Sequence, residues 1–109
     1  MVKPPSSEAR DRIRATAPKL VELAEQVVYG DIWERPGLSK RDRSLVTVAA
    51  LVALGRERQL TGHLRRAIHN GLTQEELVEA ITHLAFYAGW PAAMTAASLA
   101  KDVFEEDDG

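Results

Sequence analysis

An all-α fold of about six helices is what this 109-residue chain predicts, on three observations. Apolar residues recur at helical spacing from Pro18 onward. Capping boxes open helices at Ser39 and Thr73. Gly55, Gly71 and Gly89 each follow a helical run, where helices stop. No segment alternates apolar and polar residues as a half-buried strand does, and there is no internal repeat.

Met1 to Ser7, with Pro4-Pro5, is expected to be a loose tail, and Ser6 or Ser7 to cap a short first helix reaching about Ala15. A second helix runs from Pro18, suited to a first turn, towards Gly30, with Leu20, Leu23, Ala24, Val27 and Val28 on one side. Gly30 to Lys40 is a loop, because Arg35-Pro36-Gly37 is turn chemistry. Ser39 caps a third helix, with Asp42 at the capping-box position. Its body from Leu45 to Leu54, LVTVAALVAL, has no polar face, which predicts burial on every side. The fourth helix runs roughly from Glu57 to Asn70 and stops at Gly71. Thr73-Gln74-Glu75-Glu76 opens a fifth, reaching about Ala88. Gly89 suits the left-handed position past a helix end, and Pro91 the first turn of a sixth helix carrying Ala93, Ala96, Ala97, Ala100 and Val103. Glu105 to Gly109 read as an acidic tail, leaving one helical domain over residues 8–104.

Composition narrows the chemistry. With 45% hydrophobic and 28% charged residues the chain is globular rather than disordered. A net charge of -2 provides no basic field for nucleic acid or anionic lipid, so neither is expected as a partner. The absence of cysteine removes disulfides, thiolate metal sites, CxxC redox chemistry and cysteine nucleophiles together. The N-terminal MVKPPSSEARDRIR has no apolar signal-peptide core, and Leu45 to Leu54 is too short to span a bilayer. A soluble cytoplasmic protein is the expectation.

Three histidines remain for chemistry near neutral pH. His63 and His69, six residues apart on one helix, lie on different faces and cannot form an i, i+4 metal pair. No HxH or HExxH spacing occurs, so no metal is expected. His69 precedes Asn70-Gly71 and suits a helix C-terminus. His63, among Arg58, Arg65 and Arg66, reads equally as a surface side chain. His83 has Glu79 one turn before and Tyr87 one turn after, a chain that can orient an imidazole or simply satisfy a core histidine. The stretch YAGWP is a helix-helix corner on backbone grounds alone.

Motifs carry the reading further. W-x-RPGL (Trp33 to Leu38), RSL (Arg43 to Leu45), ALGR (Ala53 to Arg56), H-x7-G-x-T-x-EE (His63 to Glu76) and YAG-x-PAA (Tyr87 to Ala93) occur in order. Together they closely resemble the carboxymuconolactone decarboxylase family, over about Ala17 to Val103. The resemblance implies an all-helical fold shared with alkylhydroperoxidase D-like proteins, and ring-shaped homo-oligomers, a trimer or hexamer. The redox branch of that superfamily carries C-x-x-C-x-x-x-H; here its cysteine positions fall on Arg56 and Gln59, and its upstream Glu near Ser44. Peroxidase or peroxiredoxin chemistry is therefore disfavoured.

The decarboxylase branch implies a carboxy-lyase of aromatic catabolism acting on a carboxylated unsaturated lactone. The conjugated ring carbonyl accepts the electrons released with carbon dioxide, so no cofactor is expected. The resemblance assigns His63 as general acid and Arg43, with Arg35, to the carboxylates. Trp33, His83, Tyr87 and Trp90 are carried as substrate-binding residues. Two positions depart from the usual pattern: Met94 stands where an Asn follows PAA, and His83 where Gln is frequent. The contrasting reading is a non-catalytic oligomeric binding or accessory protein that keeps the fold.

Overall fold

A computed structural model describes residues 8–109, and the expected tail and the Ser6 or Ser7 cap lie outside the described residues. The described residues form six α-helices and no strand. They divide into two compact units, residues 8–40 and Arg41–Gly109.

The first unit holds α1 (Glu8–Ile13) and α2 (Pro18–Leu23), with Pro18 in the first turn of α2. The helix expected to continue towards Gly30 widens instead into a π-helical turn over Ala24–Val28, where Tyr29 N–H bonds the Ala24 carbonyl at 2.9 Å. Of the expected apolar side, Leu20, Leu23, Val27 and Val28 stay exposed, while Val21 is buried. The expected loop contains a 3-10 turn at Ile32–Glu34. Arg14 bridges Asp11 and Glu25, bonding the latter through two nitrogens at 2.9 Å.

The second unit is built from α3 (Lys40–Leu54, all but its first residue), α4 (Glu57–His69), α5 (Gln74–Leu84) and α6 (Trp90–Asp108). Thr73 and Glu76 form the expected capping box, each side chain bonding the other's N–H at 3.0 Å. Core residues come from all four helices: Val48 and Val52, Leu60, Leu64 and Ala67, Leu77 and Ile81, Ala93, Ala96, Ala100 and Val103.

Three expectations change here. Burial of α3 on every side does not hold within one chain, because Val46 and Leu54 are 60% and 64% exposed. The other three helices of the unit fully bury only the Ser44–Val48–Val52 stripe of α3. The fifth helix ends at Leu84 rather than near Ala88, because Phe86 and Tyr87 N–H groups turn back to the carbonyls three residues earlier. Gly89, at φ 108°, then redirects the chain into α6.

The acidic stretch read as a tail is mostly helical, since α6 continues to Asp108. Carboxylates at a helix C-terminus oppose the helix dipole. Side-chain contacts offset that: Arg65 grips Glu106 through two bonds of 2.8 Å, Lys101 pairs with Glu105, and Gln74 donates to Asp107 and Asp108 at 2.9 Å.

Candidate active site

The site begins with the α3–α4 hairpin. Two residues, Gly55 and Arg56, separate these helices, so they run antiparallel. Asn70 Nδ2 donates to the buried Ser44 hydroxyl at 3.0 Å, which places the start of α3 level with the end of α4. By that register His63 lies level with Leu51. Arg43 lies eight residues, roughly 12 Å, further along the axis. Both side chains are half-buried, and Arg43 Nε and His63 Nδ1 are buried atoms.

His63 is electrostatically distinctive. Burial first, and then the Arg66 charge one turn on, hold its imidazole below the ordinary value of 6.5. The fold therefore favours the neutral ring, which can accept a proton.

A cavity of about 190 Å³ opens where the α3–α4 turn meets the start of α6. Leu51, Val52 and Leu60 line it from the hairpin, Pro91, Ala92, Thr95 and Ala96 from α6, and Arg56 with Glu57 from the turn. A larger cavity, about 400 Å³, lies between α5 and α6 around Val78, Ile81, Ala97, Ala100 and Phe104, and contains none of the expected site residues.

The α5–α6 corner is aromatic and exposed. His83 stacks on Tyr87 with centroids 4.7 Å apart, and Phe86 meets Trp90 edge-on at 5.8 Å. Tyr87 is 78% exposed and Trp90 60%. The stack on Tyr87 orients His83, and no hydrogen bond joins it to Glu79. In the other unit, Trp33 is buried and packs its ring on Tyr29 at 5.7 Å, while Arg35 follows it on exposed extended chain.

Residues 18–102, most of the chain, match the sequence profile described as the carboxymuconolactone decarboxylase family. The chain belongs to that family. Among curated relatives, a 4-carboxymuconolactone decarboxylase of Acinetobacter baylyi is 50% identical over 78 residues, covering 72% of this chain and 58% of that protein. A nitrosuccinic acid decarboxylase of Metarhizium robertsii is 39% identical over 75 residues, 69% of this chain and 52% of that one. An uncharacterized 15.0 kDa protein of Paracoccus denitrificans is 33% identical over 82 residues, covering 73% and 61%. The chain thus spans between half and two thirds of the length of these relatives.

Three of the family motifs, RSL, ALGR and YAG-x-PAA, fall at two ends of the second unit. RSL, with Arg43, lies at the end marked by Asn70. ALGR and the YAG-x-PAA corner lie at the other, because Arg56, Pro91 and Ala92 share one cavity. Arg43 and the Tyr87–Trp90 corner are therefore separated by most of the length of α3. Both departures from the family pattern, Met94 and His83, are exposed, and Thr95 beside Met94 lines the cavity. Arg56 received no functional role from the sequence, although Arg56, Leu60 and His63 recur at four and three residues, one face of α4.

The lowered His63 value has a stability consequence. Where the folded ring resists protonation and the unfolded one does not, the unfolded chain binds more protons. Stability should be unaffected by His63 above pH 6.5 and fall as pH drops below it, levelling off under the folded value. Thermal melts of wild type and His63→Gln between about pH 8 and pH 5 check this: the wild-type midpoint should fall relative to that of the variant towards low pH. A constant difference across that range would contradict it.

Among the described residues no helix is long and apolar enough to cross a membrane, and no cluster of three potential metal-ligating His, Asp or Glu side chains forms.

Proposed function

We propose that this chain is a cytoplasmic carboxy-lyase that removes carbon dioxide from a small carboxylated unsaturated lactone of aromatic catabolism, without a cofactor. Family membership with two named decarboxylases among its relatives supports the class of reaction. The observation that carries the mechanism is His63: a half-buried imidazole held below its ordinary value.

Decarboxylation breaks the bond to the departing carboxylate and sends its electron pair into the conjugated ring carbonyl. The dienolate so formed then needs a proton on carbon. An anionic ligand beside His63 raises its affinity for a proton, opposing the effect of burial and Arg66. Binding therefore loads the acid that the next step consumes. Family motifs offer Arg43 and Arg35 as cations for carboxylates and Trp33, His83, Tyr87 and Trp90 as ring contacts, and within one chain a small lactone reaches either Arg43 or the Tyr87–Trp90 corner, not both.

Assembly belongs to the same proposal. The exposed Val46 and Leu54 on α3, Val78 on α5, and Phe86, Trp90 and Met94 at the corner are large apolar side chains awaiting cover. A homotrimer or homohexamer supplies that cover, and light scattering at micromolar concentration should show it. A clean monomer would remove this part of the reading.

The activity test uses a panel of unsaturated lactones headed by 4-carboxymuconolactone, followed by loss of lactone absorbance and release of carbon dioxide. Turnover of at least one member, unaffected by a metal chelator, is the expected result. A wild-type protein that turns over none overturns the lyase and leaves the accessory-protein reading.

A further inference from the structure

We propose that Arg56 grips the carboxylate that the substrate retains, at the mouth of the 190 Å³ cavity, while the departing carboxylate lies over the cavity's apolar floor. This deepens the decarboxylase reading and rests on it.

Four observations meet at this cavity. Its floor is apolar, formed by Leu51, Val52, Leu60 and Ala96. Its volume lies below the roughly 300–1,000 Å³ of drug-sized sites, so it suits one small ring. Arg56, at its rim, forms no salt bridge among the described residues, so its guanidinium fork is available for a bidentate grip. His63 does not line the cavity but follows its lining residue Leu60 by three residues on α4, so the imidazole lies about one helical turn further along that helix.

Electrostatics decides which carboxylate goes where. A departing carboxylate loses its negative charge to the ring carbonyl as the bond breaks. A cation bound tightly to that carboxylate stabilises the ground state more than the transition state and slows the reaction. Over an apolar floor the same group loses water that its dispersed transition-state charge needs less. The arginine therefore belongs on the carboxylate that stays. Glu57, at the same rim, repels a second anion there and so favours one orientation. The balance closes with one proton from water: one carbon–carbon bond breaks, its electron pair enters the dienolate, carbon dioxide leaves, and His63, protonated from solvent on binding, gives its proton to carbon.

The test compares Arg56→Gln and Arg56→Lys with wild type and Arg43→Ala. Arg56 is exposed and makes no ion pair among the described residues, so both of its variants should melt with wild type. Arg56→Gln should raise KM for 4-carboxymuconolactone about 10- to 100-fold, with kcat nearly unchanged, and Arg56→Lys should recover part of the loss. Calorimetry with a saturated dicarboxylated lactone, which has no electron sink and cannot react, gives a second reading. Its affinity should fall by the same factor in Arg56→Gln. An unchanged KM in Arg56→Gln, with the loss appearing in Arg43→Ala instead, overturns the proposal and moves the grip to Arg43. If wild type turns over no lactone, the lyase reading fails on its own. The Arg56 site fails with it only if the saturated lactone also binds wild type and Arg56→Gln equally or not at all.

Discussion

His63→Gln is expected to lower turnover of the lactone substrate by about 10²- to 10⁴-fold while KM moves far less. Glutamine keeps a hydrogen-bonding side chain of similar reach but has no proton to give at neutral pH. Binding energy from the carboxylate grip and the apolar floor remains, so the loss falls on the chemical step. Burial on α4, and then the Arg66 charge, lower the proton affinity of His63. A variant that keeps the wild-type rate would remove His63 as the acid and leave the decarboxylation itself intact. His83, stacked on Tyr87 at the corner, would then be the next group to replace.

The largest expected loss of stability follows Leu64→Ala, about 2–5 kcal/mol. Leu64 is fully buried on α4 within the core that Val48, Leu77 and Val103 build from the other three helices. Removing its branched end leaves a cavity that four packed helices cannot close without shifting. For a domain of this size the melting midpoint should drop by about 10–30 °C. Leu54→Ala is the informative control. Leu54 is 64% exposed in one chain, so an isolated subunit should lose almost nothing. A loss approaching that of Leu64→Ala, growing weaker as protein concentration rises, would show that another copy covers it. A small loss for Leu64→Ala itself would mean the core is looser than its packing indicates.

Much of the fold was legible in local chemistry. Thr73-x-x-Glu76 specified a helix start because each side chain satisfies the other's backbone donor, and the pair does so at 3.0 Å. Gly89 and Pro91 specified the α5–α6 corner because few residues accept φ 108° and proline suits a first helical turn. The absence of cysteine excluded thiol chemistry at Arg56 and Gln59 without any structure. The motif order from Trp33 to Ala93 was enough for the family, since those spacings are a property of the chain alone.

Tertiary structure decided what contacts between distant residues decide. That α3 has one covered stripe and one bare face depends on how many helices pack around it, which periodicity does not encode. The helical state of Glu105 to Asp108 depends on Arg65, forty-one residues away from Glu106, outweighing an unfavourable end of the helix dipole. The lowered proton affinity of His63 comes first from burial, a sum over neighbours that sequence leaves open. Arg56 acquired its place beside a cavity for the same reason. Its place in ALGR says only that α4 is about to begin, whereas α6 bringing Pro91 and Ala92 across the turn makes it the rim of a cavity.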